Sequence, residues 1–217
     1  MVSSRPSTPA QAWKALKEGN ARFVAGHSDH PHQDAQRRRE IAAGQDPYAV
    51  VFGCSDSRVP TEIIFDQGFG DLFVVRNAGH VVEPGAIGSI EFGVDLLSTP
   101  IVVVLGHQTC GAVGAARKAL ATGELPDNFV RTIVNQVVPS LVTGRAEDAQ
   151  AGSLHLNLAE DNQLVAEHVR ATVHSLHTYS ATIADAVAAG RCAVVGMQYS
   201  LEEGTASVVE VIGDIGE

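Results

Sequence analysis

Short apolar runs alternate with stretches of helical periodicity along most of this chain. Five runs rich in valine and isoleucine, bounded by glycine, proline or charged residues, predict β-strands. They are Val50–Phe52, Asp71–Val75, Ile101–Leu105, Cys192–Met197 and Val208–Ile212. The first four are short and nearly free of polar residues, which is typical of buried strands in a parallel sheet. The fifth follows a Glu-Glu-Gly turn and predicts an antiparallel strand at an edge.

Helical patterns separate these strands. Thr8 and Pro9 predict the start of an N-terminal helix, which presents Trp13 and Leu16 on one face and runs to Gly26. Further helices are predicted at Thr61–Phe65, Ser89–Leu97, from near Cys110, at Phe129–Val138 and, as one long helix, at Glu160–Ala189. A loop is predicted at Gly79–Gly88, and the segment Pro139–Ser153 is rich in small and polar residues. The alternation of strands and helices predicts an α/β fold.

Two polar clusters each begin where a predicted strand ends. Cys54-Ser55-Asp56-Ser57-Arg58 follows the first strand, and Gly106-His107-Gln108-Thr109-Cys110-Gly111 follows the third. Ligands in open α/β sheets bind outside the carboxyl ends of the strands. The two clusters can therefore converge on one point.

The residue types in these clusters favour zinc. Cysteine thiolate and neutral imidazole are ligands that Zn²⁺ prefers, and two cysteines, one histidine and an exchangeable position form a known catalytic pattern. His107 and Cys110 are close enough in sequence for one strand-to-helix turn to deliver both. If residues 54–58 are extended, Asp56 and Arg58 project to the same face as Cys54 and can pair beside it.

Composition limits the function classes. The chain has 217 residues and a net charge of −10, which argues against partners such as nucleic acid or an anionic membrane. Its length suits one domain with a substantial core. Three cysteines do not make a disulfide framework and fit a reducing, cytoplasmic location. No apolar run approaches the length that spans a membrane.

The motifs resemble those of the β-class carbonic anhydrases from about Trp13 to the C-terminus. Residues 54–60, Cys-Ser-Asp-Ser-Arg-Val-Pro, match the first signature of that family. Val75-Arg76-Asn77-Ala78-Gly79 looks like its middle block, and residues 106–111, Gly-His-x-x-Cys-Gly, match the second signature. The resemblance implies reversible hydration of carbon dioxide to bicarbonate and a proton, with one zinc ion per subunit.

The resemblance also assigns roles. It makes Cys54, His107 and Cys110 the zinc ligands, and it makes Asp56 and Arg58 a catalytic dyad that orients a zinc-bound hydroxide toward CO₂. Asp56 can also become the fourth zinc ligand in a closed, inactive form, which pairing with Arg58 prevents.

Further site residues rest on the same resemblance. Gln45, Phe73, Ala78 and Gly111 match the substrate-binding positions, and Gln45 and Phe73 can face the zinc of a neighbouring subunit. Some bacterial relatives of the bicarbonate-regulated type carry a tryptophan where this chain has Val51. We therefore expect the open site with a direct Asp56–Arg58 pair.

The resemblance completes the expected architecture. It implies four parallel strands in the order 2-1-3-4, an added antiparallel edge strand, helices on both faces and a homodimer or homotetramer. The predicted organisation is a single domain, 1–217, with an N-terminal helical arm at 1–26 and an α/β core at 27–217. Trp13 needs a surface to cover, either on its own subunit or, as an arm, on a partner.

Three other functions are also compatible with the sequence. They are a related zinc hydrolase such as a carbon disulfide hydrolase, a cysteine-nucleophile hydrolase that uses Cys110, His107 and Asp56, and a non-enzymatic zinc-binding module. Against the last, a purely structural site would close on four tight ligands.

The remaining histidines and cysteine favour structural interpretations. His27, His30 and His32 predict a surface loop, and Arg37–Arg39 a solvated helix face. His168, His174 and His177 lie on the long helix without a carboxylate at ligand spacing, which favours a surface or interface role. Cys192 begins a strand and is expected to be a packed core thiol.

Overall fold

The computed structural model describes residues 5–142 and 161–216. The five strands are β1 (Ala49–Cys54), β2 (Leu72–Asn77), β3 (Ile101–His107), β4 (Ala193–Tyr199) and β5 (Ala206–Ile212). The helices are α1 (Pro9–Val24), α2 (Ala35–Glu40), α3 (Thr61–Ile64), α4 (Pro84–Glu91), α5 (Gly111–Thr122), α6 (Val130–Leu141), α7 (Asp161–Tyr179) and α8 (Ala181–Ala188). A short 3₁₀ turn spans Ala78–His80, and a π-helical turn at Phe92–Leu96 extends α4.

One five-stranded sheet organises the chain in the order β2-β1-β3-β4-β5. The first four strands run parallel and β5 is antiparallel to β4. This confirms the predicted fold class and strand order. In the register, Gly53 is opposite Leu105, so the carboxyl ends of β1 and β3 lie side by side.

Alternate residues of the strands build two separate cores. Val50 and Phe52 of β1 pack with α4–α8 on one face of the sheet, whereas Val51 packs with α1 and α3 on the other. Because successive side chains point to opposite faces, strands that are apolar throughout need cover on both sides. The three central strands are buried along nearly their whole length.

Helix α1 lies on the sheet of its own chain. The Thr8 side chain caps it by accepting a hydrogen bond from the backbone N–H of Gln11, as the sequence predicts. Trp13 and Leu16 are buried among residues of β1, β3 and β4. Trp13 therefore packs on its own subunit, which is one of the two surfaces that were predicted for it. The division into an arm and a core stays a prediction.

Two features near β2 differ from the predictions. β2 is only half-buried, because it lies at the edge of the sheet and lacks a neighbour on one side. The predicted loop at Gly79–Gly88 is wrong in its second half, since α4 already begins at Pro84. Proline is well suited to the first turn of a helix because its missing N–H would be unpaired there.

The long helix predicted at Glu160–Ala189 is two helices. Ser180 leaves the helical conformation between α7 and α8, and its Oγ accepts a hydrogen bond from the N–H of Ile183. The same hydroxyl donates to Glu91 at 2.6 Å, which ties the break to α4. Glu160 and most of the polar segment Pro139–Ser153 lie outside the described residues. Across the described ranges, none of the helices combines the length and apolar character that crossing a membrane requires.

Candidate metal centre

Two cysteines and a histidine meet at the carboxyl edge of the sheet. Cys54 ends β1, His107 ends β3, and Cys110 lies at the N-terminus of α5. The two thiol sulfurs and an imidazole nitrogen all lie within 4.8 Å of one another, and all three residues are buried. The structure thus brings together the three residues that the sequence predicts as ligands.

The His107 ring presents a free nitrogen to this cluster. Its Nδ1 lies 2.9 Å from the carbonyl oxygen of Gln108, which can only accept, so Nδ1 carries the proton. The other nitrogen, Nε2, is buried and has no hydrogen-bond partner. A buried lone pair without a partner is costly, and a bound cation would satisfy it.

The two thiols influence each other's ionisation. The hydrogen bond with Cys110 lowers the pKa of Cys54, against the opposing effect of burial, and the Gly79 N–H also favours the thiolate. The same contact with Cys54 raises the pKa of Cys110. Without a cation the pair therefore holds one negative charge readily and resists a second. A divalent cation between the sulfurs would favour both thiolates.

The donor set fits zinc. A tetrahedral zinc ion with bonds of about 2.0–2.3 Å needs donor atoms that lie roughly 3.5–3.8 Å apart. The three donors, within 4.8 Å of one another, need only small side-chain movements to reach that spacing. Two sulfurs and one nitrogen leave a fourth position free.

Asp56 and Arg58 form a bidentate ion pair beside the cluster. Arg58 Nε donates to Oδ1 at 2.9 Å, and Nη2 donates to Oδ2 at 2.7 Å. The backbone N–H of Arg58 also donates to Oδ1. The Arg58 side chain holds the pKa of Asp56 well below its usual range, so Asp56 is a carboxylate at neutral pH. Asp56 Oδ2 lies 3.8 Å from His107 Nε2.

Arg76 holds the loop that carries Cys54 and Asp56. It lies near the end of β2, and its Nε donates to the carbonyl of Cys54 at 2.8 Å. Its Nη2 donates to the carbonyl of Asp56 at 2.7 Å. Arg76 belongs to the motif Val75–Gly79, but no role for it could be assigned from the sequence alone. Two features of the sequence could have indicated a role for Arg76: its positive charge, and its position near the end of a strand that pairs with the strand of Cys54.

The predicted substrate-binding residues occupy two different places. Ala78 and Gly111 are exposed and lie next to the cluster in the chain, in the turn after β2 and at the start of α5. Gln45 is exposed in the segment before β1, and Phe73 is opposite Val50, near the amino end of that strand. Val50 and Cys54 are four positions apart along β1, so Phe73 lies about 13 Å along the strand direction from the level of Cys54. One chain therefore does not bring Gln45 and Phe73 to its own metal cluster.

Two buried histidines lie directly behind the cluster. The surface or interface role predicted for His168 is wrong, because the residue is 3% exposed and hydrogen-bonded on both ring nitrogens. His80 is fully buried and packs against it, with ring centroids 4.4 Å apart. Burial keeps the pKa of both histidines below the usual value. His168 shares a buried helix face with Val169 and Val173, which was the available signal.

The other predictions for histidine and cysteine hold. His27, His30 and His32 are exposed, and His32 Nδ1 lies 2.8 Å from Asp71. His174 is also exposed, and His177 is half-buried. Cys192 is buried, and burial raises the pKa of its thiol to about 12, which makes it an inert core residue.

Comparisons with known proteins agree with this site. Residues 49–206 match the sequence model of the carbonic anhydrase family. The chain is 49% identical over 213 residues to carbonic anhydrase 2 of Mycobacterium tuberculosis, with 98% of this chain and 99% of that protein covered. It is 51% identical over 211 residues to a carbonic anhydrase of Mycolicibacterium smegmatis, with 97% and 98% covered.

The fold agrees with solved structures as well. A tetrameric β-carbonic anhydrase of the ascomycete Sordaria macrospora superposes with a TM-score of 0.66 at 26% identity. The superposition covers 90% of this chain and 95% of that one. The chain therefore belongs to the carbonic anhydrase family of enzymes, in its β class.

Proposed function

We propose that this enzyme catalyses the reversible hydration of carbon dioxide to bicarbonate and a proton, with one zinc ion per subunit held by Cys54, His107 and Cys110. One observation carries the proposal: two thiol sulfurs and an imidazole nitrogen within 4.8 Å of one another lie beside a carboxylate that an arginine holds ionised. Zinc, when bound, supplies Lewis acidity that brings the pKa of water toward neutrality and so provides a nucleophile for CO₂.

Asp56 orients that nucleophile. As an ionised carboxylate it can only accept hydrogen bonds, so a hydroxide that donates to it directs its lone pair toward the carbon of CO₂. Arg58 keeps Asp56 ionised through two side-chain hydrogen bonds. The pairing also holds Asp56 away from the fourth ligand position, which it would occupy in the closed, inactive form.

Gln45, Phe73, Ala78 and Gly111 complete the substrate site in this proposal. Ala78 and Gly111 lie near the cluster of their own chain, whereas Gln45 and Phe73 contribute to the site of a second subunit. Phe73 stacks on the half-exposed Phe92, with ring centroids 5.9 Å apart, and Leu96 on the same π-helical turn is 65% exposed. This apolar surface suits contact with another copy of the chain.

A homo-oligomer follows, as a dimer or a dimer of dimers. The Sordaria macrospora relatives are tetrameric, which supports this assembly. The cytoplasmic location stays a prediction from the composition of the chain.

The direct test is a stopped-flow assay of CO₂ hydration on protein whose zinc content has been counted. We expect activity in proportion to zinc, up to one ion per chain. Turnover of carbon disulfide without CO₂ hydration would favour the related hydrolase. Hydrolase activity that survives chelation and is lost on alkylation of Cys110 would favour the cysteine nucleophile. Zinc binding without either activity would favour a binding module.

A further inference from the structure

A chain of hydrogen bonds connects helix α6 to the sulfur of Cys54 through the protein interior. Ser140 Oγ lies 2.7 Å from His168 Nδ1, and His168 Nε2 lies 2.7 Å from the carbonyl oxygen of Gly79. The backbone N–H of Gly79 in turn donates to Cys54 Sγ, with 3.3 Å between nitrogen and sulfur. All the groups in this chain are buried.

The direction of these hydrogen bonds follows from the groups involved. The carbonyl of Gly79 can only accept, so His168 Nε2 carries a proton. Burial lowers the pKa of His168, and the ring is therefore neutral, with Nδ1 as the acceptor. The Ser140 hydroxyl has one proton and two acceptors within reach, Val137 O at 2.6 Å and His168 Nδ1 at 2.7 Å, and it donates to Nδ1 when it turns away from Val137 O. The Gly79 carbonyl thus selects the tautomer, and Ser140 can support it from the other side of the ring.

Gly79 lies in a turn that requires support. Its φ of 71° is left-handed, and an added Cβ would lie 2.6 Å from the Cβ of Ala112. The next residue, His80, is also left-handed, with φ 41°, a conformation that is uncommon for residues other than glycine. Such a turn persists only when surrounding contacts fix it. His168 supplies a directional contact, because it holds the carbonyl of the residue whose N–H points at Cys54.

We propose that His168 is a positioning residue for the metal centre: with Ser140 behind it, it fixes the Gly79 turn so that the Gly79 N–H donates to the sulfur of Cys54. This inference rests on the proposed zinc site. An N–H donor on a ligand thiolate fixes the direction of the sulfur lone pairs and withdraws charge from the metal–sulfur bond. Hydrogen bonds around metal ligands contribute about 10–100-fold to metal affinity or activity.

The test compares His168→Phe with His168→Gln. Phenylalanine fills the space but cannot donate, whereas the terminal amide of glutamine lies near the position of Nε2 and can donate to Gly79. We expect His168→Phe to weaken zinc binding about 10–100-fold in competition with a chelator. We expect His168→Gln to recover most of that affinity. In cobalt-substituted protein, the sulfur-to-cobalt charge-transfer band should shift in the phenylalanine variant and return toward the wild-type position in the glutamine variant.

Val173→Ala is the matched control. Val173 is a fully buried residue of the same helix, and its truncation removes packing without touching Gly79. It should lower the unfolding temperature and leave zinc affinity and the charge-transfer band unchanged. Equal loss of affinity in Val173→Ala and His168→Phe would overturn the proposal, since it would show a general effect of lowered stability.

Two further outcomes separate this proposal from the zinc site itself. Wild-type affinity and an unchanged band in His168→Phe would overturn the positioning role alone, while the zinc site stands. Failure of the wild-type protein to bind zinc or cobalt in a one-to-one ratio would overturn both. Should His168→Phe fail to fold, Ser140→Ala tests the same chain of bonds. It should weaken zinc binding by a smaller factor, and unchanged affinity would contradict the proposal.

Discussion

The two sides of Cys54 are built in opposite ways. On the solvent side lie Asp56 and Arg58, with side chains that are 19% and 53% exposed and paired directly with each other. On the interior side, Gly79 and His168 are buried and joined by single, directional hydrogen bonds. Water competes with the exposed pair and not with the buried bonds.

This difference separates two tasks. In the proposed mechanism the reacting carboxylate must meet substrate and solvent, so its ion pair is partly exposed and contributes little to stability. A ligand sulfur must stay in place, so its support is buried. The comparison predicts that changes on the solvent side lower the rate and leave the metal bound. Changes on the interior side should first lower metal affinity.

The largest effect is expected from Cys54 itself. Cys54→Ser removes a ligand shared by both sides, so we expect loss of stoichiometric zinc, loss of activity and a lower unfolding temperature, because metal binding is coupled to folding. Zinc content and thermal unfolding measure this. Cys192→Ser is the control, since Cys192 is buried elsewhere, and it should keep one zinc per chain. Full zinc content in Cys54→Ser would contradict the ligand assignment.

Arg58→Ala should come next. Loss of the guanidinium frees Asp56 to turn toward the metal, so we expect the rate of CO₂ hydration to fall about 10²–10⁴-fold, the range typical of acid–base groups, with zinc retained. Arg38→Ala, at an exposed position of α2, should leave the rate unchanged. If Arg58→Ala keeps the wild-type rate, the dyad assignment is wrong.

Arg76→Gln tests the support of the loop between the two sides. The guanidinium donates to the carbonyls of Cys54 and Asp56, and glutamine cannot make both contacts. We expect both the rate and zinc affinity to fall about 10-fold, at the lower end of the range for groups that orient ligands. A change in the rate alone would place Arg76 with the solvent side. Arg76→Lys keeps the charge but not the planar guanidinium, so its rate and zinc affinity should lie between those of the wild type and Arg76→Gln.

The pH dependence should show the effect of two thiolate ligands. They leave a bound zinc ion formally neutral, so its effect on water is weaker than with three imidazoles. We therefore expect activity to rise on the alkaline side of neutrality, by up to about tenfold per pH unit below the apparent pKa. Stopped-flow rates at several pH values measure this. A flat profile between about pH 6 and 9 is the contrary result.

The smallest effect is expected for the contribution of the exposed ion pair to stability. Because Arg58 lowers the pKa of Asp56, the pair stabilises the fold above the unfolded pKa of about 3.9, and this is lost as the pH falls through the lower folded pKa. In chelator-treated protein, Asp56→Asn should therefore unfold slightly more easily at pH 7 and like wild type in strong acid. A large difference in the free energy of unfolding between wild type and Asp56→Asn at pH 7, measured with urea, would contradict the view that the solvent side contributes little to stability.

The sequence was most informative where local pattern and chemistry coincide. Each strand was a short apolar run, and Cys54 and His107 end or follow such runs, so both the sheet and the clustering of Cys54, His107 and Cys110 could be predicted. Asp56 and Arg58 are near neighbours of Cys54, and their pairing also follows from local spacing.

The interior side could not be found in this way. Ser140, His168 and Gly79 are far apart in sequence, and only the packing of α6 and α7 on the turn after β2 brings them together. His80, which lies beside them with neither ring nitrogen hydrogen-bonded, has no distinguishing sequence pattern. The break at Ser180 was missed because apolar periodicity continues across it. By contrast, Pro84 was a helix-start signal that could have been used.

The pairing of β1 with β3 has a consequence for folding. Cys54 shares a sheet face with Val50 and Phe52, so a slip of β1 by one residue would carry its sulfur to the opposite face of the sheet. Such a misaligned chain could not assemble the three donor atoms. Zinc binding at the proposed site would thus act as a check on strand alignment during refolding, because it would stabilise only chains whose central strands have paired correctly.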